Sequence, residues 1–518
     1  MEEITLDAFH LDLPADFAEH LDQAAARAAE LLGRQFHVGF DWTPVHDSDA
    51  IAIRLAPRKR LSAGRDLLAA IAMHLRGELG GLATFEELGA LIGSFPAPQG
   101  VTGDPLELMK MSAEFRKQHT GETVTVGHPD TGFTLHPELF DSGVGGLDLE
   151  RDRNFVEGDG TAEDPCAVEA GWLHPGHGTG TASRIISASS EPGPNAPADW
   201  LDIVGVAPRS SLIPYRVTKS VALVRYSQQR ALARALSAAI EARADVVSIS
   251  LGSLWSFEVL EDAVARAVES GLIICAAAGQ VRLTGSFHLN RVVAPACLPG
   301  VFCAASCDLE GRASGWSFRS SRVDITVPGE GIPIAVTEFG RKWNTGRSNG
   351  TSYSAAHLAG AAALWVAAWK QQGALTEANR DRRPAMFWSA LQRSHKDAVQ
   401  PVGGKTGHWG LGILDVPALV GTPPDVDAGA LPGTEADQLV DRGAIRQLQD
   451  ELGLDEPSAQ LFALATTQDI QLHGLTSGGT TRTSPLVAAA RVRDLGLSAR
   501  DIRALAGAGI GAFATLRL

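Results

Sequence analysis

The chain has 518 residues, 44% hydrophobic and 20% charged, the composition of a soluble globular protein too long for one ordinary core, so about three domains are expected. Its 45 basic and 60 acidic residues give a formal charge of −15, which argues against nucleic acid or an anionic membrane as partner of the whole chain. Five cysteines, Cys166, Cys275, Cys297, Cys303 and Cys307, are too sparse and odd in number for a disulfide framework; with no secretory pattern at residues 1–7 and no apolar run of spanning length, they point to a cytoplasmic setting.

Residues 4–13 alternate like a strand and 17–32 carry helical periodicity; 36–42 and 50–55 read as further strands, and 63–79 and 85–92 as helices. This order predicts a small α+β domain over residues 1–100, closed by the linker Pro96-Ala97-Pro98-Gln99-Gly100. From 101 to 421 strands and helices alternate. Strands are expected at 123–127, 201–206, 212–217, 246–250 and 272–276, and helices at 230–242, 257–268 and 355–369. Successive βα units imply an α/β domain, a doubly wound parallel sheet with helices on both faces, whose functional residues gather at the carboxyl ends of the strands. Residues 422–437 form an acidic Pro/Gly-containing linker, and 438–518 read as short helices with Gly breaks.

Three stretches carry chemistry. Asp130-Thr131-Gly132 puts a carboxylate just past a strand. His177-Gly178-Thr179-Gly180 opens a small-residue stretch behind an imidazole. Gly350-Thr351-Ser352-Tyr353-Ser354 runs into an apolar helix, so Ser352 stands at a helix N-terminus, where free N–H groups and the dipole favour an oxyanion. Each alone has a bland explanation: a turn, a structural histidine, an N-cap. Together, in the order Asp, His, Ser at the edges of an α/β sheet, they match a known catalytic order.

Residues 114–419 resemble the subtilisin-like serine peptidases. Val124-Thr125-Val126-Gly127-His128-Pro129-Asp130-Thr131-Gly132 with His136-Pro137-Glu138-Leu139 is similar to that family's Asp block, His177-Gly178-Thr179 to its His block, and Gly350-Thr351-Ser352 with His357-Leu358-Ala359-Gly360 to its Ser block. Gly205-Val206-Ala207-Pro208, Ser250-Leu251-Gly252, Ala277-Ala278-Gly279, Val327-Pro328-Gly329 and Gly410-Leu411-Gly412-Ile413-Leu414-Asp415 follow as landmarks in the same order. The resemblance implies a serine endopeptidase; no stretch matches a dedicated calcium loop, so neither a cofactor nor a metal is expected. Ser352 attacks the peptide carbonyl, His177 moves the proton, and Asp130 orients the imidazole; the Ser352 N–H and the Gln280 amide hold the oxyanion. Substrate would add as a strand beside Ser250, Leu251 and Gly252, its P1 side chain reaching toward Ala276, Ala277 and Ala278, whose small size leaves room for a sizeable group.

Three residues depart from the family pattern. Gln280 stands where the family has Asn, Ala356 where it has Pro, and Pro129 enters a strand that it should end or bulge. These departures support a rival reading, a pseudopeptidase acting as a binding module. Asp148, Glu150, Asp152 and Asp159 read as a solvated loop rather than a calcium site. Residues 1–100 have the order of an accessory or propeptide-like domain. In the tail, 495–510 suggest a helical hairpin, and from Thr481 six Arg face two Asp. A protein partner for this helical domain is favoured over nucleic acid, because Lys and interleaved aromatics are absent.

Overall fold

The computed structural model describes residues 3–13, 21–47, 50–59, 61–64, 82–87, 95–96, 102–140, 146–158, 160–166, 175–188, 200–223, 226–253, 256–280, 292–338, 342–396, 399 and 408–433. The chain divides into two units, Met1–Ala90 with Gln438–Leu518, and Leu91–Asp437. The helical reading of 438–518, its hairpin included, lies outside the described residues, as does most of the helix expected at 63–79.

In the first unit β1 (Glu3–Leu13) runs antiparallel to β3 (Ala50–Pro57), which pairs with β2 (Phe40–Asp47). β4 (Leu61–Gly64) and β5 (Leu82–Glu87) both pair antiparallel with β1. The helix α1 (Leu21–Phe36) buries Ala24, Ala25, Ala28 and Leu32, spaced to form one face, and Phe40, Ile53 and Leu55 of the sheet are buried as well. Residues 85–87, expected to open a helix, instead belong to β5: Leu82-Ala83-Thr84-Phe85 reads equally as a strand, and pairing with β1 decides it.

The second unit is built on a sheet that is parallel except at one edge. Its main strands are β7 (Thr125–Asp130), β8 (Ser211–Arg216), β9 (Val246–Ile249), β10 (Ile273–Ala277), β11 (Val301–Cys307), β12 (Ile325–Pro328) and β15 (Ile413–Leu414). They lie in the order β15-β12-β11-β10-β9-β7-β8; His395–Lys396 adds antiparallel to β15, and Gly146–Leu147 and Arg153–Asn154 add to β8. β7 therefore sits between β8 and β9, the point from which the chain goes first to one side and then to the other, where α/β sheets place their sites.

Strict alternation splits the core. Val126, Val246, Ile273, Cys275, Phe302 and Val327 face α2 (His177–Ile186), α5 (Thr351–Gln371) and α6 (Arg383–Leu391). Ile213, Val247, Ile249, Ile274 and Cys303 face α3 (Tyr226–Glu241) and α4 (Glu258–Glu269). Every residue of α5 from Thr351 to Val366 is buried, which suits a helix apolar on all sides. β13 (Ile332–Glu338) and β14 (Lys342–Asn349) form a hairpin leading into α5, and β6 (Phe95–Pro96), at the start of the expected linker, pairs with the last two residues of β14. No described helix is long and apolar enough to cross a membrane.

Pro129 does not end β7. The Asp130 carbonyl accepts from Val217 on the β8 side and the Thr125 carbonyl from Asp245 on the β9 side, so Pro129 faces β9. There the ladder stops at Val247 and Gly127, and a missing N–H costs nothing. Residues 201–206 form no strand; Val204 makes a single bridge, to Ala188, while Gly205 donates to Ser187, just past α2, and Val206 and Ala207 donate to the α2 carbonyls of Arg184 and Ile185.

Candidate active site

Asp130 is the last residue of β7 and fully buried. Its Oδ1 accepts from the Thr131 N–H and from His177 Nδ1, each at 2.7 Å. Burial alone would raise this carboxyl; the neighbouring imidazole and these donors outweigh it and hold Asp130 below the usual carboxylate range, ionised at neutral pH. His177 is the first residue of α2. The helix start is stitched to the Asp turn: Gly178 N–H donates to Thr131 Oγ1 at 3.1 Å, and Thr134 N–H to Thr179 Oγ1 at 2.9 Å. A Cβ on Gly178 would lie 2.1 Å from the Gly132 carbonyl oxygen, so only glycine lets the imidazole approach the carboxylate this closely.

Ser352 is the second residue of α5 and 2% exposed. The first turns of this helix are pinned to β12: Ser354 Oγ donates to Val327 O at 3.0 Å and His357 Nδ1 to Pro328 O at 2.9 Å. Ser352 Oγ donates to the Ser250 carbonyl at 3.3 Å, and Ser250 Oγ donates to the Ser352 carbonyl at 2.8 Å. Ser250 directly follows β9, which neighbours β7, so carboxylate and hydroxyl stand at the carboxyl ends of adjacent strands. α2 and α5 meet where Arg184 Nε donates to His357 Nε2 at 3.0 Å. An arginine only donates, so His357 is the neutral Nδ1–H tautomer; burial first, then the guanidinium, keep it far below the usual histidine range.

Gln280 is 2% exposed, and its Oε1 accepts from the Thr351 N–H at 2.7 Å. The amide is thus anchored by its oxygen to the residue before Ser352, with its NH₂ end facing the other way. The longer stem has not carried Gln280 away from the helix terminus. Ala356, the other departure beside Ser352, is fully buried against the sheet.

The substrate walls differ from expectation in two ways. Gly252 N–H donates to Val221 O at 3.0 Å and Leu223 N–H to Gly252 O at 2.8 Å, so the edge beside Ser250, Leu251 and Gly252 is taken by the chain itself. Ala276, Ala277 and Ala278 are buried as the facing wall, but the space between the walls is filled. A Cβ on Gly252 would meet Val293 Cγ2 at 2.4 Å, and one on Gly279 would meet Val293 Cγ1 at 2.7 Å. The sequence carried no signal for Val293, which lies in an apolar run beyond the expected elements.

Of the acidic loop, Asp148 pairs with Arg151 at 2.6 Å and Asp152 accepts from the Ala162 N–H at 2.6 Å; Asp159 lies outside the described residues. Among the described residues no three His, Cys, Asp or Glu side chains cluster as metal ligands. Burial raises the thiols of Cys275, Cys303 and Cys307, and none of the five cysteines forms a disulfide.

The sequence profile of the subtilase family, peptidase S8, matches residues 121–403. Similar proteins include the major intracellular serine protease of Bacillus subtilis (strain 168), 29% identical over 268 residues, 52% of this chain and 74% of that protein. The intracellular serine protease of Paenibacillus polymyxa is 32% identical over 304 residues, 58% of this chain and 82% of its own length. Subtilisin E of Bacillus subtilis (strain 168) is 27% identical over 312 residues, 60% and 69% of the two chains. The match spans more than half of the chain, and with it the strand end, helix start and helix terminus described above. The chain therefore belongs to the subtilase family, and is a subtilisin-like serine endopeptidase acting on peptide or protein substrates.

Proposed function

We propose that this endopeptidase works through Asp130, His177 and Ser352 by an acyl-enzyme route, in an intracellular setting. The observation that carries the reading is the 2.7 Å contact between Asp130 Oδ1 and His177 Nδ1, with Ser352 at the head of α5 held by the neighbouring strand end. In the reaction Ser352 Oγ exchanges its long bond to Ser250 for one to the imidazole, and attacks the substrate carbonyl. His177 takes the proton and returns it to the leaving amine, while Asp130 stabilises the imidazolium. The Ser352 N–H and the Gln280 NH₂ receive the oxyanion, a donor of this kind being worth roughly 10²–10³ in rate. A peptide lies along Ser250, Leu251 and Gly252 once Val221–Leu223 moves aside, with its P1 side chain toward Ala276, Ala277 and Ala278.

Residues 1–100 act as an accessory or propeptide-like domain, 101–421 as the peptidase, and 438–518, beyond the 422–437 linker, as a helical domain that takes a protein partner. The intracellular setting rests on the sparse, odd cysteines and on the names of the two relatives. Ser352→Ala should abolish peptide hydrolysis and labelling by a fluorophosphonate while leaving the melting temperature within a few degrees of wild type. Turnover that survives in Ser352→Ala would sink the assignment.

A further inference from the structure

Side chains alternate along β7, so His128, two residues before Asp130, shares the carboxylate's face; Thr181, one helical turn after His177, faces back toward it. His128 Nε2 and Thr181 Oγ1 are 3.0 Å apart, and the same hydroxyl is 3.3 Å from Asp130 Oδ2. None of the three is more than 1% exposed. His177 and the Thr131 N–H both serve Oδ1, so Thr181 supplies the other carboxylate oxygen.

We propose that His128 and Thr181 are positioning residues of the reaction: neutral His128 donates from Nε2 to Thr181, whose hydroxyl donates its one proton to Asp130 Oδ2. The pair fixes the plane of the carboxylate, and so the direction in which Oδ1 meets the imidazole. This rests on the triad reading given above. The polarity follows from counting protons. Were Thr181 to donate to His128 instead, its oxygen lone pairs would face a buried carboxylate oxygen at 3.3 Å with no proton between them. The carbonyls of His177 and Gly178, each 3.2 Å from the hydroxyl, compete for the same proton, but the charged acceptor makes the stronger bond. Burial holds His128 down to about 4, against the smaller opposing pull of Asp130, so it is neutral at working pH and adds no second charge beneath the triad.

The test measures kcat, KM and the pH profile of kcat/KM for the full chain on one peptide substrate. Thr181→Val keeps the volume and removes the donor; kcat should fall about tenfold, the rate equivalent of one such hydrogen bond, with KM changed less than about twofold. A carboxylate with one donor fewer holds the imidazolium more tightly, so the acid limb of kcat/KM should move to higher pH. Thr181→Ser should restore both. His128→Leu should give a smaller loss in the same direction, and adding it to Thr181→Val should cost nothing more, because His128 acts only through Thr181. Losses that multiply in the double variant, or Thr181→Val with the wild-type rate and acid limb, would overturn the proposal. If Thr181→Val does not fold, His128→Gln decides: it keeps a neutral donor and should recover most of what His128→Leu loses, and equal losses would refute the arm. Ser352→Ala runs alongside. If it stays active the triad reading fails; if it is silent while Thr181→Val is indifferent, only the arm fails.

Discussion

Gly252 and Gly279 are bare at the two walls where the P1 side chain is proposed to enter, and the isopropyl group of Val293, itself fully buried, lies against both. Two glycines would ordinarily mark a wide slot; here they make room for a side chain the protein supplies itself. A slot so filled accepts small P1 residues and excludes aromatic ones, which would require Val293 to leave a close-packed site. Val293→Gly should therefore raise kcat/KM for a substrate with Phe at P1, relative to one with Ala, by roughly 10–200-fold, the range that methylene-scale changes in such pockets span. The same change removes buried methyls and lowers the melting temperature. A paired series of Ala and Phe peptides measures it, and a wild type that already prefers Phe would refute the filled-slot reading.

At the opposite end of the sheet, Asp245 precedes β9 and is 2% exposed. Lys370 near the end of α5 reaches it at 2.7 Å, Arg383 at the start of α6 at 2.8 Å and Arg380 at 3.7 Å, while the Thr125 N–H donates to it at 3.1 Å. One carboxylate thus ties the amino ends of β7 and β9 to the far end of the helix whose near end carries Ser352. Asp245→Ala leaves the buried Arg383 guanidinium with only the exposed Glu377 carboxylate, at 3.5 Å, and should cost up to about 3–5 kcal/mol. Denaturant titration reads the loss. Active-site titration of the folded fraction should show unchanged kcat, since the knot lies away from the carboxyl ends of the strands; a kcat that falls with stability would tie the knot to the site. The elements this knot joins were legible because β-branched runs such as Val246-Val247-Ser248-Ile249 and amphipathic spacing announce themselves locally. Asp130, His177 and Ser352 were legible for a different reason: each sits at an element boundary with small residues around it. What escaped needed the partner in view. Pro129 reads as a strand breaker until it is known that β9 has stopped pairing; 201–206 read as a strand until α2 offers its carbonyls. Thr181 and His128 did follow local rules, a helical turn from His177 and a strand period from Asp130, but only their meeting across β7 and α2 sets them beside the proposed triad.

Among the described residues of the Leu91–Asp437 unit, three buried histidines, His128, His136 and His357, are held below their ordinary range, and this sets how the unit meets acid. His128 and His136 are each pushed down to about 4 by burial, with Asp130 and the Asn344 carbonyl respectively pulling weakly the other way. His357 lies well below its ordinary value, through burial and then Arg184. In all three the folded pKa is depressed, so their contribution is complete above the unfolded value of 6.5 and is lost as the pH falls below it, toward about 4 for His128 and His136, where the unfolded chain binds protons the folded chain refuses. Each contributes up to about 1.4 kcal/mol per pH unit across that window. Asp324 and Asp152, raised by burial, act in the opposite sense, but as carboxylates they start from an ordinary value of 3.8 and offset the histidines only at the acid end. Asp130, depressed, adds its own loss lower still. Unfolding free energy of the Ser352→Ala protein, in which self-digestion is expected to be absent, should be flat from pH 8 to 7 and fall with increasing slope from pH 6.5 to 5. Replacing His136, which stacks on Trp200 at 5.6 Å outside the triad, with Gln should flatten that slope by about one proton. Stability unchanged between pH 7 and 5 would mean that these imidazoles take up protons while still folded, and would remove the basis for treating His128 as a neutral donor beneath Asp130.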